Sequence, residues 1–247
     1  MFGAIRTARA IVRSLRIYYG NTARTAAMDG LYRGFIQPGD LVFDVGAHVG
    51  DRVASFRRLG ARVVAVEPQR AMARVLRFLY GYQRLVAIEE AAVGREPGTV
   101  CLMINADNPT VSSASPAFID AARDAPGWES QHWTGSAEVA VTTLDALIAK
   151  HGRPAFIKLD VEGYEAEALQ GLSQAVRALS FEFTTIQRDV ALACIERCSV
   201  LGYAHFNAAL GESQTFVGDW VGYDAMARWL IELPQSANSG DIYARAG

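Results

Sequence analysis

QPGDLVFDVGAHVG, residues 37–50, carries the clearest structural signal in this chain. Its apolar run at residues 41–43 follows a Pro-Gly turn signal, which is typical of a parallel strand that is buried on both faces. Gly46 and Gly50 then remove side chains where the backbone must bend, and the helix that follows offers its amino terminus to a polar group. The segment therefore predicts a strand, a glycine-spaced turn and a helix of an open α/β sheet.

A second apolar segment, RVVAVEP at residues 62–68, ends on an acid. Glu67 is expected at the carboxyl end of a strand, where a carboxylate can accept both ribose hydroxyls of a nucleoside, and Pro68 suits the first turn of the next helix. A dinucleotide fingerprint would need glycines at the positions of His48 and Asp51. The spacing therefore favours a nucleoside site without a pyrophosphate loop.

The third informative segment is FIKLDVEGYEAEAL, residues 156–169. If residues 156–161 form a strand, the alternation of side chains puts Lys158, Asp160 and Glu162 on one side. Charged groups near the interior of a sheet are costly unless they are paired or used, so this convergence indicates a functional site. The alternative is structural: a Lys158–Asp160 ion pair, with Glu162 at the start of the next helix.

Composition restricts the class of protein. The chain has 247 residues, 51% of them hydrophobic and 20% charged, which suits one globular α/β domain with a full core. The net charge of −2 gives no electrostatic argument for a nucleic-acid partner, and no apolar run is long enough to span a membrane. Three cysteines, Cys101, Cys194 and Cys198, form no metal-ligand pattern or disulfide framework, which favours a cytoplasmic location. The sequence makes no prediction of oligomeric state.

Residues 1–36 differ from the rest and are predicted to be a basic helical extension to a domain at residues 37–247. Arginines recur there at helical spacing, and they interrupt every candidate signal-peptide core. The favoured interpretation is a helix packed on the domain with a solvated arginine face. The alternative is contact of residues 1–20 with an anionic membrane surface. The arginines are Arg6, Arg9, Arg13, Arg16, Arg24 and Arg33, against one acid, Asp29.

Six motifs occur in the order found in one enzyme family. They are VFDVGAHVG, VEP, AAVG at 91–94, TLDALI at 143–148, IKLDVEGYE at 157–165 and FEF at 181–183. From residue 37 to residue 183 the chain resembles the FkbM family of S-adenosylmethionine (SAM)-dependent methyltransferases. The resemblance implies a Rossmann-like class I methyltransferase fold, with a seven-stranded, mostly parallel sheet between helices. It also implies O-methylation of a hydroxyl on a small molecule, sugar, glycan or natural product.

The resemblance implies which residues bind the cofactor. The methionine part of SAM would lie against the turn at residues 44–50, Glu67 would bind the ribose, and the segment 90–91 would bind the adenine. His48 stands where the family commonly has asparagine, and a neutral imidazole can still form hydrogen bonds. The expected cofactor-binding residues are Asp44, Gly46, His48, Gly50, Glu67, Pro68, Glu90, Ala91 and Asp160.

The chemistry of SAM defines what a catalytic residue must do. A sulfonium makes the methyl group electrophilic, so the protein mainly needs to hold an acceptor oxygen in line with it and remove its proton. Asp160, which the resemblance puts near the transferred methyl, is the first candidate for this base, followed by Glu162 and then His132. No metal site is predicted, although Asp160 and Glu162 have side chains that can bind a divalent cation.

Candidate acceptor-binding residues come from the FEF motif and from two long connections. Glu182 would face the same crevice, with a buried structural glutamate as the alternative. Trp128 and Trp133, within the connection at residues 105–137, and Trp220 could stack on a sugar or macrocycle, with core packing as the alternative. Two other functions stay open. A nucleotide-dependent oxidoreductase should show the missing pyrophosphate loop, and a noncatalytic SAM-binding protein would not need the charged IKLDVEGYE segment.

Overall fold

The computed structural model describes residues 2–247, with side chains described from residue 6 onward. Its strands are β1 (Leu41–Val45), β2 (Arg62–Val66), β3 (Val86–Glu89), β4 (Ala92–Val93), β5 (Gly98–Ile104), β6 (Gly135–Thr142), β7 (Phe156–Leu159), β8 (Ala178–Thr184), β9 (Tyr203–Leu210) and β10 (Ser239–Ala246). Its α-helices are α1 (Phe2–Tyr19), α2 (Thr22–Tyr32), α3 (Asp51–Arg58), α4 (Arg70–Tyr80), α5 (Pro116–Arg123), α6 (Leu144–His151), α7 (Glu165–Gln170), α8 (Arg188–Leu201) and α9 (Tyr223–Glu232). Short 3-10 helices lie at Pro109–Val111 and Gln235–Ala237.

Seven strands form the main sheet, in the order β3-β2-β1-β7-β8-β10-β9. The strands from β3 to β8 in this order are parallel to their neighbours, whereas β10 runs antiparallel to both β8 and β9. The predicted seven-stranded, mostly parallel sheet is thereby confirmed. Because the parallel strands share a direction, the carboxyl ends of β1, β2, β7 and β8 meet along one edge, where open α/β sheets bind ligands.

Helices cover both faces of the main sheet, because neighbouring residues of a buried strand point to opposite sides. In β1, Phe43 belongs to a core cluster with residues of α6, α7, α8 and α9. Its neighbour Val42 belongs to a second cluster with residues of α2, α3 and α4. Cys194 and Cys198 are reduced and buried in the first cluster as small core residues.

A second sheet, in the order β4-β6-β5, is not predicted from the sequence. Strands β5 and β6 pair antiparallel, and the Pro109–Val111 turn and α5 lie between them along the chain. Phe118, Ala122 and Trp128 form a small core of their own. The connection expected at residues 105–137 is therefore a folded lobe. Its two long strands lie too far apart in sequence to give a hairpin signal.

The two N-terminal helices pack on the domain. In α2, Met28, Leu31 and Tyr32 are buried in the same core cluster as residues of α3. In α1, the Tyr19 hydroxyl lies 2.6 Å from the Tyr80 hydroxyl at the end of α4. The boundary between extension and domain stays a prediction. Among the described residues, no helix combines the length and the apolar character needed to cross a bilayer.

Candidate active site

A cavity lies at the carboxyl edge of the main sheet and reaches β4 and β5 of the second sheet. Its floor is formed by the segments that follow β1, β2 and β7 and by the end of β8, and residues of the 110–114 segment form part of its wall. The cavity therefore occupies the place where an open α/β sheet binds a ligand. The predicted site residues that line it are Asp44, Gly46, His48, Glu67, Pro68, Ala91, Trp128, Asp160, Glu162 and Glu182.

The turn after β1 requires glycine at position 46. Gly46 has a φ of +86°, and a Cβ there would lie 1.7 Å from the carbonyl oxygen of Asp160. The amides of Gly46 and Ala47 both donate to the carbonyl oxygen of Val66, at 2.9 and 3.1 Å. The turn is therefore packed directly against the ends of β2 and β7, with no room for a side chain.

Gly50 has a different role from the one predicted. It is the N-cap residue of α3, with a φ of +84°. A Cβ there would lie 2.7 Å from side-chain atoms of both Leu76 and Tyr80, and Gly50 is not among the described residues that line the cavity. Its missing side chain lets α4 pack against the start of α3, so the glycine serves helix packing.

Glu67 lies just after β2, and only 2% of its surface is exposed. One carboxylate oxygen accepts from the His48 amide and the other from the Gln69 amide, both at 2.8 Å. Burial raises the pKa of Glu67 to about 7, although these two backbone hydrogen bonds act in the opposite direction. Each oxygen keeps a further lone pair, so the carboxylate can still accept two hydroxyls from a ligand in the cavity.

Three buried polar atoms of cavity-lining residues have no partner within the described residues: Asp44 Oδ2, His48 Nε2 and Arg52 Nε. Asp44, which is 2% exposed, leaves Oδ2 without a hydrogen bond, and burial raises its pKa to about 7. The Nε2 atom of His48 also has no partner, and burial lowers the pKa of this imidazole to about 4. The His48 ring lies edge-on to Tyr18, with ring centres 5.8 Å apart. Asp44 and neutral His48 therefore have unused hydrogen-bonding capacity at the cavity.

Three carboxyl groups converge beyond the end of β7. Oxygens of Asp160, Glu162 and Glu182 lie within 4.8 Å of one another, a spacing that could hold a divalent cation although the sequence predicts no metal site. The buried Lys158 ammonium donates to Asp160 Oδ2 at 3.0 Å and to Asp241 Oδ1 at 2.8 Å. The ion pair and the converging acids, which the sequence offers as alternatives, therefore coexist.

The three carboxyl groups differ in their protonation. Against the effect of burial, Lys158 and Arg52 hold the pKa of Asp160 below its ordinary value. Burial and the charge of Asp160 raise the pKa of Glu162 and of Glu182 well above the usual range. Of the three, Asp160 therefore ionises most readily, and burial disfavours the charged forms of the two glutamates.

The loop between β7 and α7 holds Glu162 at the cavity. Glu162 has a φ of +55°, which L residues rarely adopt, and the Ser113 hydroxyl donates to its carbonyl oxygen at 2.6 Å. The Glu165 carboxylate accepts from the amides of Val161 and Gly163, at 2.9 and 3.0 Å. Sequence reasoning missed both roles. An acid in the first turn of a helix is a known cap of preceding amides, but nothing near Ser113 in the sequence points to this loop.

We expect the ligand-free protein to lose stability as the pH rises from about 5 to about 7. Burial raises the pKa of Asp44, Glu67 and Glu165 to about 7, whereas an unfolded chain ionises such acids near pH ~4. In that window the folded protein holds more protons than the unfolded chain, so folding is penalised as protons are withdrawn. Burial lowers the pKa of His48 to about 4, so this group alone makes the folded protein more stable as the pH rises. Its contribution is smaller than the combined contribution of the three acids, which has the opposite sign.

Urea unfolding measures this dependence. The free energy of unfolding should be lower by at least ~2 kcal/mol at the upper end of the window than at the lower end. Glu67→Gln, which removes one of the titrating acids, should give a shallower dependence. A free energy that stays constant or rises across the window would contradict the assigned protonation states.

Three further charged side chains line the cavity, Asp51, Arg52 and Glu212, and Arg24 contacts two of them; the sequence predicts none of these contacts. Arg24 and Arg52 each donate to Asp51 Oδ2, both at 2.9 Å. They also reach Glu212, Arg24 at 2.7 Å and Arg52 at 3.0 Å. This four-charge group joins α2, the start of α3 and the loop after β9. Its members come from segments that are distant along the chain, so no local sequence pattern predicts that they lie together.

Besides Gly50 and Trp220, three predicted site residues lie outside the described cavity lining. Glu90 pairs with Arg77 at 2.6 Å and borders a neighbouring cavity. His132 is exposed on the lobe formed by residues 105–137. The ring nitrogen of Trp133 donates to the Val111 carbonyl oxygen at 2.7 Å, and the ring packs on the small core of that lobe. None of the three contacts the cavity.

Trp220 lies at the opposite end of the main sheet from the cavity. The Arg245 guanidinium covers its ring at 4.1 Å, and the Phe35 ring centre lies 6.1 Å away. Arg245 pairs with Ala178, the first residue of β8, which marks the amino edge of the sheet. Trp220 therefore belongs to core packing at that edge, where its large apolar surface is covered.

The chain matches the sequence model of one protein family, and its fold is similar to several solved structures. A family model described as "Methyltransferase FkbM domain" matches residues 44–227. No curated protein matches the chain. Among solved structures, the chain is similar to a precorrin-6y C5,15-methyltransferase from Geobacter metallireducens, at 13% identity and a TM-score of 0.42, over 90% of this chain and 87% of that one. It is also similar to a magnesium protoporphyrin IX methyltransferase from Synechocystis with bound SAM, at 12% identity and a TM-score of 0.47, over 96% and 84% of the two chains.

Proposed function

The chain belongs to the FkbM family of SAM-dependent methyltransferases, and on that premise we propose that it methylates a hydroxyl group of a small molecule, sugar or natural product. Membership of the family accounts for the use of SAM and for methyl transfer, and it favours a methyltransferase over a nucleotide-dependent oxidoreductase. What we propose beyond it is that the acceptor atom is a hydroxyl oxygen and that the acceptor belongs to these classes of molecule. The observation that carries it is the convergence of Asp160, Glu162 and Glu182 at the cavity, where the buried Lys158 ammonium donates to Asp160.

The cavity offers groups that suit each part of SAM. Glu67 would accept hydrogen bonds from the ribose hydroxyls, and the unpartnered Oδ2 of Asp44 would accept one from the ammonium of the methionine part. Pro68 and Ala91 line the cavity near Glu67 and would contact the adenine. When bound, SAM supplies an electrophilic methyl group on a sulfonium. We therefore propose these four residues as cofactor-binding.

Asp160 would accept the proton of the acceptor hydroxyl as the methyl group transfers to its oxygen. Its contact with Lys158 keeps it ionised at neutral pH, so it is available as a proton acceptor. Glu162 and Glu182, whose pKa is raised by burial, would form hydrogen bonds with other oxygens of the acceptor. Trp128 lines the same cavity and offers an aromatic surface for an acceptor ring. A protein that only binds SAM would have no use for this arrangement.

Methyl-labelled SAM and a panel of hydroxylated sugars and polyketide-like alcohols test the proposed reaction. We expect the label in an ether, and magnetic resonance of the isolated product identifies the atom that carries the methyl group. Label found on nitrogen, with none on oxygen, would contradict the hydroxyl acceptor without affecting membership of the family.

We expect Glu67→Ala to weaken SAM binding by about ten- to a hundredfold, because it removes charge-assisted hydrogen bonds to the ribose. Calorimetry on folded protein measures the change. Glu90→Ala is the matched control, since this carboxylate also follows a strand but pairs with Arg77 outside the cavity lining. Its SAM affinity should stay within ~threefold of the wild-type value. Unchanged affinity in Glu67→Ala, or an equal loss in both variants, would contradict the ribose assignment.

A further inference from the structure

Helices α1 and α4 approach each other near their beginnings and at their ends, so they run in the same direction. Near their beginnings, Thr7 and Arg70 line the same cavity. At their ends, the hydroxyls of Tyr19 and Tyr80 lie 2.6 Å apart. Both helices carry exposed side chains along their length. We call the surface formed by these exposed side chains and by the turn at residues 81–85 the arginine face.

The arginine face is basic and carries exposed apolar side chains. Neither helix contains an acidic residue. Phe78 is 83% exposed and Tyr82 is 79% exposed, and Ile17 is also on the outside at 56%. Phe78 and Tyr82 are the most exposed large hydrophobic side chains in the described part of the chain. Five exposed arginines of this surface have no acidic partner within the described residues: Arg9, Arg16, Arg70, Arg74 and Arg84.

We propose that the arginine face docks the protein onto an anionic lipid membrane, a function additional to methyl transfer. Unpaired guanidinium groups attract anionic headgroups, and the aromatic and aliphatic side chains between them enter the interfacial layer. The whole chain has a net charge of −2, so the remaining surface is acidic and is repelled by the same membrane. The charge distribution therefore selects one orientation, with this surface against the lipid.

Nucleic acid is the other polyanion that a row of arginines attracts. Phe78 and Tyr82 have rings that can stack on bases. Val12, Ile17 and Leu85, however, are exposed on the same surface and gain nothing from a phosphate backbone, whereas a bilayer interface buries them. The combination of unpaired arginines with exposed aliphatic side chains therefore favours lipid.

Vesicle co-sedimentation tests the proposal with the full chain. Wild-type protein should bind vesicles of phosphatidylcholine mixed with phosphatidylglycerol and should not bind vesicles of phosphatidylcholine alone. Replacing Arg9, Arg16 and Arg74 with glutamine should lower the partition coefficient on the order of a hundredfold, since each arginine near an anionic surface contributes several-fold. Added salt should weaken wild-type binding in the same direction. Phe78→Ser with Tyr82→Ser should also weaken binding, at unchanged charge.

Matched controls remove the same groups from other surfaces. Replacing Arg95, Arg123 and Arg228 with glutamine gives the same change of charge away from the arginine face, and Val200→Ser with Ile231→Ser removes apolar groups that are 73% and 57% exposed. Both controls should bind as the wild type does, and all variants should unfold at the wild-type temperature. Absence of vesicle binding, equal binding to neutral vesicles, equal losses in the controls, or binding to oligonucleotides in place of vesicles would each overturn the proposal.

Discussion

Replacing Asp160 with asparagine is expected to lower turnover by about 10²- to 10⁴-fold, the usual contribution of a positioned general base. Asparagine keeps the size and much of the hydrogen bonding of this side chain, but it cannot accept the proton of a hydroxyl. SAM affinity should change little, because Glu67 and Asp44 are untouched. Single-turnover methyl transfer and calorimetric SAM binding measure the two quantities separately. Glu162→Gln should have a smaller effect on turnover.

Asp241→Asn is the matched control for this experiment. Asp160 and Asp241 both accept hydrogen bonds from the Lys158 ammonium, but only Asp160 is among the described residues that line the cavity. If the loss in Asp160→Asn arose from disturbing the buried lysine, Asp241→Asn would lower turnover equally. A near wild-type single-turnover rate in Asp160→Asn would exclude Asp160 as the base, and Glu162 would then be the better candidate.

Gly46→Ala is expected to lower the free energy of unfolding by about 2–5 kcal/mol. Part of the effect is the left-handed backbone at φ +86°, which an L residue adopts at a cost of about 1–2 kcal/mol. The remainder is steric, because the new methyl group would lie 1.7 Å from the carbonyl oxygen of Asp160 and must push the β1 turn away from β7. SAM binding should fall with it, since this turn is part of the cavity wall.

Gly39→Ala separates the two contributions. Gly39 has a φ of +90°, and a Cβ there would meet no atom within 4 Å. Its substitution should therefore cost only the backbone term, about 1–2 kcal/mol, with SAM affinity unchanged. Urea unfolding of both variants gives the comparison. If Gly46→Ala were no more destabilising than Gly39→Ala, the close approach between the turn and Asp160 would not be a constraint on this fold.

The main sheet and its binding edge are predictable because their signals are local. Residues 37–50 contain the strand and the turn in one segment, and Glu67 ends the next strand. The resemblance to the FkbM family then implies the topology, and the parallel direction of the strands brings Asp160 and Glu182 to the same edge. The first strand, its turn and the acid that ends the next strand follow from the spacing of apolar residues and glycines, whereas the seven-stranded sheet follows from the resemblance.

Contacts between distant segments are what the sequence does not reveal. The four-charge group combines α2, α3 and the loop after β9, and Ser113 reaches Glu162 from another lobe. Trp220 shows a second limit of sequence reasoning, since one pattern can fit two different roles. An aromatic residue on a long connection suits ligand stacking and core packing equally well, and only the pairing of β10 shows which end of the sheet it occupies. The packing role of Gly50 likewise becomes visible only when its contacts with α4 are known.

The limits of the shared domain and the limits of the binding site do not coincide. The family match runs from residue 44 to residue 227, yet Tyr18 lines the cavity from before that range, and Asn238 and Ser239 line it from after. Arg24, also outside it, contacts both Asp51 and Glu212, which line the cavity. A fragment cut where similarity to the family stops would keep nearly all of the recognisable motifs and still lose part of the wall around its ligand. In this chain the functional unit is therefore larger than the homologous one.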